Sequence, residues 1–129
     1  MKPQHIAIPA VLLTLFLIAY TVYLLSPADP VTTPIDLVAA HTGSMEPMIT
    51  GGDIITVAPV DWSDLRAGHI VVVHHPRKPD TLLAHRITAI DAHQATLKGD
   101  AAPREDSFAI WPKDVLGLVT HINRQPINY

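Results

Sequence analysis

A serine flanked by residues that turn the chain could supply a nucleophile. Ser44 follows Gly43, which lets the backbone turn tightly, and precedes Pro47, which fixes its own backbone torsion. This combination can present a hydroxyl group at the end of a strand. A serine hydroxyl becomes a good nucleophile only when a nearby base removes its proton. Ser44 is therefore a candidate nucleophile if the fold brings a base to it, and otherwise a turn residue.

His85 has the chemistry of such a base, because a neutral imidazole accepts a proton near pH 7. It lies in an apolar segment, LAHRI at positions 83–87. Side chains alternate along a strand, so His85 should share one face with Leu83 and Ile87. A polar side chain on an apolar face needs a hydrogen-bond partner. Ser44 would supply that partner.

A carboxylate could complete the set by orienting the imidazole and stabilising its charged form. Asp100 and Asp106 follow His85 along the chain and are the two candidates. Asp100 closes the stretch Lys98-Gly99-Asp100, which is also typical of a turn with a solvated carboxylate. The residues alone leave both aspartates open for the role.

Four short motifs follow one another in a fixed order. They are TGSMEP at 42–47, GGD at 51–53, LAHRI at 83–87, and LKGD at 97–100 with Asp106 beyond it. Together they resemble type I signal peptidases of the archaeal and endoplasmic-reticulum branch. In that branch the serine lies in a Ser-Gly-Ser-Met-Glu-Pro-like box, a His-Arg pair replaces the bacterial lysine, and a Lys-Gly-Asp box precedes a second aspartate. The likeness extends from about Asp36 to Val119.

The resemblance implies a role for each matching residue. Ser44 corresponds to the nucleophile and His85 to the general base. Asp106 corresponds to the essential aspartate, and Asp100 to an auxiliary catalytic one. The sequence departs from the family pattern after Asp100, where AAP at 101–103 replaces the asparagine that is often present. That loop decides which carboxylate reaches His85.

The charge that develops on a cleaved carbonyl needs hydrogen-bond donors. The backbone N–H of Ser44 is one candidate, and the Thr42 hydroxyl is another, because some relatives carry a helping serine there. Thr42 could equally cap the strand. The substrate would be an extended segment with small side chains one and three residues before the cleaved bond, added to a strand edge. The candidate walls of its shallow pockets are Leu37, Ala39, Met45 and Leu83.

Composition excludes several other classes of function. The net charge of −3 argues against nucleic-acid binding, which requires a basic patch on the protein surface. There are no cysteines, and therefore no thiol nucleophile and no cysteine-ligated metal. His69 and His75 lack the helical spacing of zinc enzymes, and no acidic residue completes a motif. We therefore predict neither a metal nor another cofactor.

An uncharged run of 20 residues occupies 6–25. As a helix it would extend about 30 Å, the hydrocarbon thickness of a bilayer. Lys2 precedes the run and Asp29 follows it, which predicts residues 1–5 in the cytoplasm. The alternative is a cleaved signal peptide, but the run exceeds the usual apolar core of 7–15 residues. We predict a retained single-pass transmembrane anchor and a proline-rich linker at 26–34.

The remainder, residues 35–129, has the pattern of short strands separated by turns. The predicted strands are 35–40, 54–58, 70–73, 82–91, 95–98 and 115–122, with a helical turn at 64–66, a loop at 74–80 and an end to regular structure at Pro126. Such a pattern predicts a mostly β domain, a small antiparallel β-barrel or sandwich. The signal peptidase resemblance implies the same catalytic fold, with one N-terminal transmembrane helix.

These observations lead to one main hypothesis about function. The chain would be a membrane-anchored signal peptidase I, a serine endopeptidase that cleaves N-terminal signal peptides from exported preproteins. Its partners would be those signal peptides and the lipid bilayer. The β-rich domain would lie on the extracytoplasmic side of the cell membrane, or in the endoplasmic-reticulum lumen in a eukaryote. The sequence leaves open whether the chain works alone or in a membrane complex.

Two alternatives remain. The first is a catalytically silent relative that serves as a membrane-tethered binding or scaffold subunit. Retention of Ser44, His85 and both aspartates argues against it, because a silent copy has no chemical reason to keep them all. The second is a serine–lysine peptidase with Lys98 as the base. Lys98 is predicted next to a turn, whereas His85 lies in a strand, so we rank this alternative lower.

Overall fold

The computed structural model describes residues 7–25 and 31–129. Helix α1 spans Ala7–Leu25, and the hydroxyls of its two threonines donate to carbonyl oxygens one turn back. The segment 1–5, predicted to be cytoplasmic, lies outside the described residues, as does most of the predicted linker. A membrane span needs about 20 predominantly apolar residues. No helix among the described residues is long and apolar enough to cross a membrane, so the predicted membrane span over 6–25 is not supported.

The rest of the described chain folds mainly into one antiparallel sheet of eight strands, which confirms the mostly β prediction. The strands are β1 (Ile35–Val38), β2 (Ile54–Ala58), β3 (Ile70–His75), β4 (Lys78–Ile90), β5 (Ala95–Lys98), β6 (Ala109–Ile110), β7 (Val115–Ile122) and β8 (Gln125–Pro126). Their spatial order is β1-β2-β7-β3-β4-β5-β6, with β8 paired to β7. Strand β7 therefore returns from the far end of the sequence to lie between β2 and β3.

Strand β3 is buried on both of its faces. Ile70 and Val72 pack into a first core cluster together with Met45. Val71 and Val73 pack into a second core cluster on the opposite side. Because both faces are covered, this strand is a continuous β-branched run rather than an alternation of apolar and polar residues.

The β3–β4 connection is much shorter than the loop predicted over 74–80. Strand β3 continues to His75 and β4 begins at Lys78. The register between the two strands shifts between His74 and His75. Pro79 falls opposite that shift, where its missing N–H is not required by the ladder. The prolines that indicated a loop are therefore accommodated by a bulge in a long hairpin.

Other boundaries differ by smaller amounts. The helical turn predicted over 64–66 is a 3-10 turn at Trp62–Asp64. Strand β6 was not predicted, because two residues carry no readable periodicity. Pro126 ends the short strand β8. In the turn between β4 and β5, the Asp91 carboxylate accepts hydrogen bonds from the backbone N–H groups of His93 and Gln94.

Three segments of this fold bring the candidate residues to one place. The connection from β1 to β2 carries Ser44. Strand β4, between β3 and β5, carries His85. The connection from β5 to β6 carries both aspartates, and it begins beside His85 because Arg86 pairs with Lys98 across the β4–β5 ladder.

Candidate active site

A compact turn holds Ser44 after β1. Gly43 has a positive backbone φ of 71°, a conformation that a residue with a side chain rarely adopts. The N–H of Glu46 donates to the Gly43 carbonyl over 3.2 Å, and that of Ile49 donates to the Met45 carbonyl over 2.9 Å. Met45 is only 4% exposed and packs into the first core cluster. The buried Met45 thus anchors the turn, while Ser44 beside it remains partly accessible.

His85 is held by Asp106. Its Nδ1 lies 2.7 Å from Oδ2 of Asp106, and the two side chains are 9% and 13% exposed. The backbone N–H of Asp106 donates to the Leu97 carbonyl over 2.8 Å, which fixes the aspartate against the end of β5. Leu83 and Ile87 both contact the second core cluster, as strand alternation predicts for their face. An imidazole that donates through Nδ1 keeps Nε2 as a proton acceptor.

The Nε2 atom of His85 is buried and has no hydrogen-bond partner within the described ranges. A buried polar atom without a partner costs free energy, so it needs an explanation. The hydroxyl of Ser44 instead contacts the Thr42 hydroxyl, with 3.2 Å between the two oxygens. Catalytic hydrogen bonds are often long or misaligned in a free enzyme and tighten when substrate binds. A serine rotated onto Thr42 is consistent with that behaviour.

Gly99 lies where Ser44 and His85 approach each other. A Cβ atom built on Gly99 would lie 2.7 Å from the Ser44 carbonyl oxygen and 3.2 Å from Nε2 of His85. Both distances are too short for an ordinary carbon contact. A side chain at position 99 would therefore force the Ser44 backbone or the His85 ring to move. The sequence placed Gly99 in a turn, and its steric role follows only from the fold.

Asp100 is not bonded to His85. Its two carboxylate oxygens accept hydrogen bonds from Nε and Nη2 of Arg86, over 2.8 Å and 2.7 Å. These hydrogen bonds lower the pKa of Asp100, against a smaller opposite effect of burial. The same contact raises the pKa of Arg86. The structure thus separates the two aspartates that the residues alone left equivalent.

Thr42 lies close to both polar groups of Ser44. Besides the contact between hydroxyls, the Ser44 N–H points to Thr42 Oγ1 at 3.5 Å. The predicted oxyanion donors are therefore neighbours. An oxyanion within reach of both groups would receive two donors if the Ser44 N–H and the Thr42 hydroxyl turned towards it.

A cavity of about 340 Å³ opens beside Ser44. Thr42, Ser44 and further apolar residues line it. The lining also includes all four predicted wall residues, which are Leu37, Ala39, Met45 and Leu83. One wall is formed by β1 and the segment after it, and another by residues 82–84 of β4. Within the described residues, β4 pairs with β5 only from Arg86 onward, which leaves residues 82–84 on an open edge beside the cavity.

Lys98 occupies a different position from His85. Its Nζ donates to the neighbouring Gly99 carbonyl over 3.2 Å. Lys98 pairs with Arg86 across the ladder, so its side chain belongs to the face opposite His85. Within residues 7–25 and 31–129, no group of three or more histidine and acidic side chains could hold a metal ion.

Comparisons with known proteins add nothing to this description. A scan against protein-family models, a search of curated proteins and a search of solved structures each found no match. The functional argument therefore depends on the sequence motifs and on the geometry above.

Proposed function

We propose that this chain is a serine endopeptidase of the type I signal peptidase kind, which cleaves N-terminal signal peptides from exported preproteins. One observation carries the proposal. Among the described residues, His85 is fixed through Nδ1 by Asp106, and its buried Nε2, close to Ser44, has no hydrogen-bond partner. A base in this state needs a proton donor, and the motif supplies the Ser44 hydroxyl for that role.

The proposed reaction uses groups already described. Nε2 of His85 takes the proton of Ser44 Oγ while that oxygen attacks the scissile carbonyl carbon. The Ser44 N–H and the Thr42 hydroxyl donate to the resulting oxyanion. His85 then returns the proton to the departing amine, which leaves an acyl-serine. A water molecule, deprotonated by His85, hydrolyses that ester and frees Ser44.

The substrate would bind as an extended strand. The cavity lies between the segment after β1 and the open edge at 82–84 of β4, so a peptide could pair with backbone groups there. Ala39 and Ala84 leave space in the walls, while Leu37 and Leu83 make them apolar. Alternate side chains of the peptide would enter the cavity, which suits small apolar residues before the cleaved bond.

The proposal includes a location and a fold relationship. The β-rich domain would work on the extracytoplasmic side of a membrane, and its sheet would have the barrel or sandwich arrangement of signal peptidases. Neither the site nor its mechanism requires α1 to cross a bilayer, because every residue of the site belongs to the β-rich domain. Protease accessibility of the domain in intact cells tests the location separately.

The experiment is cleavage of a model preprotein by the purified full chain and by Ser44→Ala. We expect the substitution to abolish cleavage while changing the free energy of unfolding by less than about 1 kcal/mol. Ser63→Ala, an exposed serine in the 3-10 turn, is the matched control and should retain full activity. Cleavage by Ser44→Ala at more than a few per cent of the wild-type rate would refute the assignment.

One observation favours a second candidate, a silent binding subunit. The Ser44 hydroxyl contacts Thr42 rather than His85. A silent relative would bind signal peptides in the cavity without cleaving them. Binding of a preprotein peptide to wild-type protein, with no product and no difference between wild type and Ser44→Ala, would favour this candidate.

A further inference from the structure

The loop that follows β5 is docked onto the backbone of the Ser44 turn. The Ala101 N–H donates to the Ser44 carbonyl over 3.0 Å. The Asp100 N–H points to Sδ of Met45 at 3.4 Å. These contacts join the nucleophile turn, which comes early in the sequence, to a loop more than fifty residues later. The position of Ser44 therefore depends on how this loop is held.

Arg86 holds the loop through a planar fork. It donates two hydrogen bonds to Asp100 and a third, from Nη1, to the Gly68 carbonyl over 2.7 Å. The Arg86 and Asp100 side chains are 29% and 19% exposed, so the pair is only partly screened by solvent. A bidentate arginine–carboxylate contact restrains orientation as well as distance. Arg86 is also the residue next to His85 in β4, so one contact ties the strand of the base to the loop that is docked on the Ser44 turn.

We infer that Arg86 and Asp100 are positioning residues, which act as a unit to hold the Ser44 turn at the distance from His85 that proton transfer requires. The inference deepens the proposed function and depends on it for its catalytic consequence. Asp100 is thereby assigned a role different from that of an auxiliary catalytic acid. Both carboxylate oxygens of Asp100 already accept hydrogen bonds from Arg86, and Nδ1 of His85 is already paired with Asp106.

The kinetic test compares Asp100→Asn, Arg86→Gln and the double variant in preprotein cleavage. A misplacement of about 1 Å costs about 100-fold in rate, so we expect each single variant to lose between about 10-fold and 100-fold in kcat. KM should change less than twofold, because neither substituted side chain lines the cavity. The double variant should lose no more than the worse single variant, since either change breaks the same unit. Arg86→Lys keeps the charge without the fork and should lie between wild type and Arg86→Gln.

Glu105→Gln is the matched control. It removes one carboxylate from the same loop, at an exposed position where the side chain accepts a hydrogen bond from Thr88. Its kcat should equal that of the wild type. If Asp100→Asn behaves like Glu105→Gln, or if the losses at Arg86 and Asp100 multiply in the double variant, the positioning role is overturned.

A second measurement does not require activity. Amide hydrogen exchange by NMR reports on the Ala101 N–H, whose acceptor is the Ser44 carbonyl. Asp100→Asn should accelerate exchange at Ala101 at least 10-fold relative to Glu105→Gln, while exchange in β3 stays unchanged. If the wild type cleaves no preprotein, the proposed function fails by itself, and the exchange data still decide whether the pair holds the loop on Ser44. Unchanged exchange at Ala101 overturns the inference even in an active enzyme.

Discussion

A single methyl group added at Gly99 should disrupt the relation between Ser44 and His85. In Gly99→Ala the new Cβ would lie 2.7 Å from the Ser44 carbonyl oxygen, whereas ordinary contacts begin at 3.4 Å. Relief of that contact requires a displacement of about 0.7 Å by backbone atoms. The second contact, 3.2 Å from Nε2 of His85, opposes a shift in the other direction. The methyl group therefore pushes the nucleophile and the base apart.

The size of the effect follows from that displacement. A shift approaching 1 Å in a catalytic group costs up to about 100-fold in rate, so we expect kcat to fall by about 30-fold to 100-fold. Overpacking a dense region costs about 1–3 kcal/mol of unfolding free energy. The assay is single-turnover cleavage of a model preprotein with enzyme in excess, together with chemical denaturation of each variant.

Loss of stability alone could lower activity, so a destabilised control is needed. Ile110 is fully buried in the second core cluster, and Ile110→Val should cost about 0.5–1.5 kcal/mol. Ile110 belongs to β6, outside both the Ser44 turn and the strand of His85, so the variant should keep the wild-type rate constant. If Gly99→Ala retains the rate of the control, the chain between Ser44 and His85 has room for a side chain, and the steric argument is refuted.

Three further predictions test the site and its charges. Asp106→Asn should lower kcat by about 10⁴-fold, because loss of the orienting carboxylate leaves the wrong imidazole tautomer. Asp100→Asn should lower kcat far less. Equal losses in the two variants would contradict the pairing of Asp106 with His85. His85→Ala should remove nearly all activity, together with the acid limb of the pH–rate profile. Lys98→Ala should keep both the activity and the acid limb. The reverse result would show that Lys98 is the base. The Arg86 contact lowers the pKa of Asp100 in the folded state, so Asp100 stabilises the fold above the unfolded-state pKa of about 3.9 and loses this contribution as the pH falls through the folded value. The unfolding free energy of Asp100→Asn should therefore lie below that of the wild type by about 1 kcal/mol at pH 7. The denaturation curves of the two proteins should converge below about pH 4. A difference in unfolding free energy that widens in acid would refute the role given to the Arg86–Asp100 contact.

Much of the sheet could be predicted because its signals are local. The boundaries of β2 and β5 follow from short β-branched or alternating runs bounded by turn residues. The burial of β3 on both faces follows from its continuous apolar run. The β3–β4 hairpin was missed, because prolines in the sequence indicate a loop and only the pairing register shows that they fall at a bulge.

Residue types limited which groups could do chemistry in this chain. A serine between turn residues, a histidine in an apolar strand and two later aspartates define the candidates and the reaction that they could carry. The tertiary structure decided how they are paired. Asp106 bonds His85 and Asp100 bonds Arg86, because β4 and β5 are in register at Arg86 and Lys98 and the following loop folds back over the Ser44 turn. Such pairings join residues far apart in the sequence, and their geometry depends on strand register and loop docking, which no local pattern encodes.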